Sequence, residues 1–128
     1  MDRYIYASDW KVLEQLWDNA PQTLMQLVHA LSAEVGWSKS TVATMVRRME
    51  AKGLLRFEEG GKARLIYPTL TREEASRSET SGLIDKVFKG SPGLLMASLL
   101  EQNDFSQEEI DELYAMLKKA EEASGKNA

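Results

Sequence analysis

Between Trp37 and Leu70 the chain carries seven Lys or Arg (Lys39, Arg47, Arg48, Lys52, Arg56, Lys62, Arg64) against three acids, Glu50, Glu58 and Glu59. On a wheel at about 100° per residue, Val42, Met45, Val46 and Met49 gather on one side. Ser40, Ala43, Thr44 and Arg47 fall on the opposite side, with Arg48 on one flank. This outer face supplies small residues where backbones approach closely, hydroxyls and methyls for base edges, and guanidinium groups for guanine or phosphate. The free amides around Lys39, Ser40 and Thr41 make the start of the helix an anion-binding end. Lys52 near the helix end is a further expected DNA contact, and Lys62 and Arg64 stand on alternate positions of a following strand, within reach of a flanking nucleic-acid backbone, while Glu58 and Glu59 oppose that contact. The same face also suits a helix that needs only to be soluble, so the surrounding elements must decide.

Three helices and a hairpin position this face. Ser8 is placed to cap a first helix over about 9–19, with Trp10, Leu13, Leu16 and Trp17 on one stripe and Pro21 beyond its end. Thr23 caps a second, in which Leu24, Leu27, Val28 and Leu31 repeat at helical spacing before Gly36. Ser38 caps the third, the basic helix over about 39–52. Trp37 and Val42 form its hydrophobic staple, and Gly53 follows as terminator. "LLRFEE" and "KARLIYP" then alternate apolar and polar residues around "GG", the mark of a β-hairpin. Beyond Pro68 only helices are expected. One opens on the capping box Thr71/Glu74 and closes at Gly90, a short apolar one starts at Ser91-Pro92, and a last one opens on Ser106/Glu109. The fold class expected is mainly α with a small β-hairpin, a winged helix-turn-helix over residues 1–70 followed by a helical module over 71–128 with a polar tail. Three short helices make a thin core alone, so Leu94, Leu95, Leu99, Leu113 and Leu117 are expected to pack against a second copy of the chain.

Composition excludes several function classes. The net charge of −4 over 128 residues is unevenly spread, with nine basic against eight acidic residues up to Leu70 and seven against twelve after it. No tract approaches the roughly 18 apolar residues of a bilayer span. The start, "MDRYIYASDWK", lacks the basic and apolar regions of a secretory signal, so a cytoplasmic location is expected. The absence of cysteine agrees with a reducing compartment and removes disulfides and thiolate chemistry. The single histidine, His29, has no second ligand three or four residues on, so neither metal nor cofactor is expected. Glu73-Glu74 and Glu108-Glu109 sit in first helical turns, where acids favour the helix dipole, and no nucleophile has a candidate base. An enzyme is not expected. A winged-helix adaptor that binds protein and leaves its basic face unused stays open as the alternative to a DNA-binding protein.

The stretch "WSKSTVATMVRRMEAKGLL" resembles the pattern W-S-x-x-T-V-x-T-M-V-x-R-L-x-x-K-G-x-L of the penicillinase-repressor type of bacterial winged-helix regulator, the BlaI/MecI/CopY family, with Met49 in the Leu position. "WKVLEQLW", "EGGKARLIYPTLTREE" and "FSQEEIDELYAML" are similar to its first helix, its wing and exit, and its final helix, so the resemblance covers about Ser8 to Glu121. It implies a homodimer with interlocked C-terminal helices, repressing transcription from a palindromic operator, and puts Thr41, Thr44 and Arg48 on the DNA-facing helix. Many members carry Lys or Arg where this chain has Ser40, and Pro where it has Lys39. That departure moves the expected phosphate contact by one residue and implies a different operator. Copper-responsive members use a C-terminal cysteine cluster that this chain lacks.

In antibiotic-responsive members of that family, a membrane sensor leads to cleavage of an Asn-Phe bond in the short apolar helix. Counting back from "EEI", the equivalent bond is Ser98-Leu99, which offers a protease neither the amide nor the ring. Losing both contacts removes orders of magnitude of selectivity. Release by that cut is therefore not expected. When producing cells are exposed to a β-lactam, blotting should detect the intact chain only, and a break between Ser98 and Leu99 that tracks derepression overturns this expectation.

Overall fold

The computed structural model describes residues 4–125 and has the order α1 (Ala7–Asp18), α2 (Leu24–Val35), α3 (Lys39–Ala51), β1 (Leu55–Glu59), β2 (Arg64–Pro68), α4 (Arg72–Val87), α5 (Pro92–Gln102) and α6 (Gln107–Gly125). The mainly helical class with one hairpin is the one expected. Thr23 Oγ1 accepts from the Gln26 amide at 3.2 Å, and the Gln26 side chain accepts from the Thr23 amide at 2.8 Å. This reciprocal pair opens α2. Gly36 closes it at φ 73°, and Gly53 follows α3 at φ 81°, both in the left-handed region that side chains with a Cβ avoid.

The first helix starts differently from expectation. Ser8 lies inside α1, and Tyr6 is the cap residue, its amide donating to Asp9 Oδ2 at 3.0 Å. A buried carboxylate three residues into the helix does the capping from within. The hairpin also differs in one respect. Gly60 N donates to Ala63 O at 3.1 Å, so Gly60 to Ala63 form the turn and Lys62 lies there, not on the second strand. In the antiparallel register Phe57 faces Ile66 and Glu59 faces Arg64. The Gln22 amide and carbonyl bond Ile66 from the other side at 3.2 and 2.8 Å, which leaves β2 flanked on both edges.

Compact packing divides the chain into residues 1–81 and 82–128. The 70/71 junction marks the end of the hairpin; the packing division comes later, inside α4, whose first part buries Ala75 against the first unit's core. That core joins Val12, Leu13 and Leu16 of α1, Leu27, Val28 and Leu31 of α2, and Val42, Met45, Val46 and Met49 of α3, with Leu54, Leu55 and Ile66 from the hairpin region. In the second unit no described side chain is buried. The capping box there forms as expected, with Ser106 N donating to Glu109 Oε1 at 2.9 Å and Glu109 N to Ser106 Oγ at 3.1 Å. The last helix continues to Gly125, so the polar end is helical through Ser124. Its final turn carries no buried residue to hold it.

Leu13 is fully enclosed. Leu13→Ala should cost about 2–5 kcal/mol in urea unfolding, through lost transfer energy and the cavity left behind. A loss below 1 kcal/mol would contradict the packing described.

Candidate nucleic-acid interface

Burial of Val42, Met45, Val46 and Met49 fixes the rotation of α3 about its axis, and its outward face follows from that rotation. Lys39, Ser40, Thr41, Thr44, Arg47 and Arg48 are exposed, and Ala43 is half-buried. Ser38 Oγ accepts from the Thr41 amide at 3.2 Å and lies 3.1 Å from Thr41 Oγ1. One amide of the first turn is thereby satisfied. Ser40 Oγ sits 3.3 Å from Ser38 Oγ, so hydroxyls cluster at the positive end of the helix. No acid occupies the first turn.

Arg47 lines a largely apolar cleft of about 440 Å³ between the start of α2, α3 and the hairpin, with Ala43 on its own helix and Arg64 on the other wall. Arg64 shares a strand face with Ile66, opposite Phe57, and its guanidinium carbon lies 4.4 Å from the Phe57 ring. The Arg47 side chain makes no ion pair or hydrogen bond among the described residues, and neither do those of Lys39 and Lys62. On the other face of the hairpin Arg56 pairs with Glu58 and stacks 4.1 Å from the Tyr67 ring. The fold thus brings Ala43, Arg47 and Arg64 to one cleft, with Lys39 to Thr41 at the head of the helix and Lys62 at the hairpin tip.

Two of the expected contact residues have partners elsewhere. Lys52 is mostly buried, its ammonium paired with Asp9 and 2.9 Å from Tyr4 O, with the Tyr6 ring centroid at 4.5 Å. Arg48 is about half exposed. Its Nη2 lies 3.7 Å from Asp9 Oδ1 and 3.0 Å from Met45 Sδ, and its guanidinium carbon is 5.9 Å from the Tyr6 ring. Asp9 joins both cations to the start of α1, and sequence reasoning misses it. Its position three residues after Tyr6 is the one local signal; the pairing with the end of α3, 39 and 43 positions away along the chain, is tertiary.

In the second unit Leu94, Leu99 and Leu117 are exposed, Leu95 and Leu113 half-buried. Val87, Leu100, Tyr114 and Met116 add further exposed apolar surface. Ser98 is half-buried on α5, its Oγ accepting from Gln102 Nε2 at 2.9 Å, and Leu99 is exposed beside it. Among the described residues no helix is long and apolar enough to cross a membrane, and no group of His, Cys, Asp or Glu is arranged to hold a metal ion.

A sequence model of the penicillinase repressor family matches residues 5–119. The methicillin resistance regulatory protein MecI of Staphylococcus aureus (strain N315) is 25% identical over 115 residues, covering 90% of this chain and 94% of that protein. The penicillinase repressor of Bacillus licheniformis is 24% identical over 113 residues, 88% of each chain. Among solved structures, the DNA-binding domain of the repressor BlaI aligns over 58% of this chain and 93% of that one, with 24% identity and a TM-score of 0.49.

Proposed function

We propose a mode of action on the premise that this chain belongs to the penicillinase repressor family, whose members are transcriptional repressors and not enzymes. It is a DNA-binding repressor. It acts in the cytoplasm as a homodimer on a palindromic operator, each copy laying α3 in a major groove and its hairpin along the flanking backbone. The observation that carries this reading is the exposed Ser40–Thr44–Arg47 face, fixed outward by the buried stripe of α3 and bearing a cation with no acidic partner among the described residues.

On this reading Ser40, Ala43, Thr44 and Arg47 meet base edges. Lys39 and Thr41 meet a phosphate at the helix start, and Lys62 and Arg64 meet backbone beside the groove. Arg48 contacts backbone. Lys52 contributes by holding the end of α3 against α1. The adaptor alternative uses the same core with an idle basic face, and ionic strength separates the two. Operator binding should weaken with a log–log slope of about −0.9 per phosphate contacted, whereas an adaptor forms no specific DNA complex. Genomic fragments selected with the purified protein supply the operator. Arg47→Ala should then lower the preference for operator over scrambled duplex by about 1–3 kcal/mol, while Arg48→Ala weakens both alike. If neither substitution moves either binding curve, the assignment of α3 is wrong.

The dimer is supported by the second unit, where leucines on α5 and α6 are exposed and no described side chain is enclosed. Exposed leucines repeated along both helices support an interaction surface, and a closed pair related by a two-fold axis matches a palindrome. Leu94, Leu95, Leu99, Leu113 and Leu117 are proposed to form much of the contact. Sedimentation at micromolar concentration should give twice the chain mass for the native protein and about half that value for Leu99→Glu/Leu117→Glu. A native monomer that still binds a palindrome tightly would sink the dimer.

A further inference from the structure

Asp9 is the one fully buried acid of the described chain, and its two oxygens are used unequally. Oδ2 accepts from the Tyr6 amide at 3.0 Å and pairs with Lys52. Oδ1 has no hydrogen-bond partner; Arg48 Nη2 stands 3.7 Å from it, beyond hydrogen-bonding distance. The two cations therefore differ in how firmly they are held. The Lys52 side chain is 18% exposed and makes direct contacts with two oxygens. The Arg48 side chain is 49% exposed and is kept near Asp9 by a long ion pair, a sulfur contact and a distant ring. None of these uses its guanidinium as a planar double donor to oxygen, which is the geometry it offers a phosphate.

We infer that Asp9 is a positioning residue that divides the two cations at the end of α3. It fixes Lys52 permanently and serves as the resting counter-anion of Arg48, which it gives up to a backbone phosphate when DNA binds. This inference rests on the DNA-binding reading above. Its physical basis is competition: the attraction between Arg48 and Asp9 must be given up for the phosphate contact, so the carboxylate lowers affinity for all sequences equally. Base readout, carried by other residues, is untouched. The arrangement tempers non-specific attachment while leaving operator preference intact.

Asp9→Asn keeps an acceptor for the Tyr6 amide and removes the charge. If that protein does not fold, Asp9→Asn/Lys52→Met, which leaves neither charge buried alone, takes its place. Binding is measured on a selected genomic fragment and on a scrambled duplex of equal length, with and without Arg48→Ala. The expected result is about two- to fivefold tighter binding to both duplexes, the size of a partly exposed ion pair, and no tightening once Arg48 is alanine. A purely structural role for Asp9 would weaken binding, and would do so whether or not Arg48 is present. Weaker or unchanged binding, or tightening that survives Arg48→Ala, overturns the inference while native binding leaves the DNA-binding reading standing. Native protein that binds neither duplex overturns that reading and this inference with it.

Discussion

Burial of Val42, Met45, Val46 and Met49 is the constraint from which the rest follows. A helix has a single rotation that encloses such a stripe, and turning it by one residue, about 100°, would place Ala43, Val46, Arg47 and Glu50 against the core. The penalty for taking both a guanidinium and a carboxylate out of water excludes that rotation. The outward direction of Ser40, Thr44 and Arg47 is therefore set by apolar packing on the opposite side, so the interface is as rigid as the core behind it. The N-terminal cap at Ser38 and the left-handed Gly53 fix where the helix begins and ends, and hence which residues stand at its charged end.

Local chemistry made most of this legible in the sequence. The caps at Thr23, Ser38, Thr71, Ser91 and Ser106 all operate between residues three apart, and the stripes of α1, α2 and α3 repeat within a few turns. Differences arise where the deciding partner is distant. Ser8 looks like a cap because its type is right, yet Asp9, held from the far end of α3, takes the role through Tyr6. Lys52 is expected among the DNA contacts from its charge and is instead turned to α1. Lys62 falls in the turn because the bond from Gly60 to Ala63 closes the hairpin two residues later than the "GG" pair suggests. The roles of Arg47 and Arg48 on DNA lie beyond sequence and fold alike, since both depend on a partner.

Stability is unequally divided between the two halves. The first encloses a continuous core from Ile5 to Ala75, tied across by Trp17 Nε1 donating to Leu70 O at 2.9 Å. The second satisfies its helix ends locally while leaving its apolar residues at the surface. Caps and helix propensity are worth about 1 kcal/mol or less apiece, too little to order short helices without packing.

Glu58 and Glu59 stand on the hairpin beside the cations that would approach DNA, a placement that costs attraction there. β2 is paired on both sides, by β1 and by Gln22, whereas β1 has its second edge unpaired among the described residues. An unpaired strand edge is a template for another chain, and charged side chains along it are a common protection against unwanted pairing. Arg56, Glu58 and Glu59 are all exposed on β1. A second copy of this chain adding to that edge would bring its own Arg56, Glu58 and Glu59 alongside these charges, so the acids that oppose the proposed approach of the hairpin to a duplex also guard the protein against edge-to-edge aggregation.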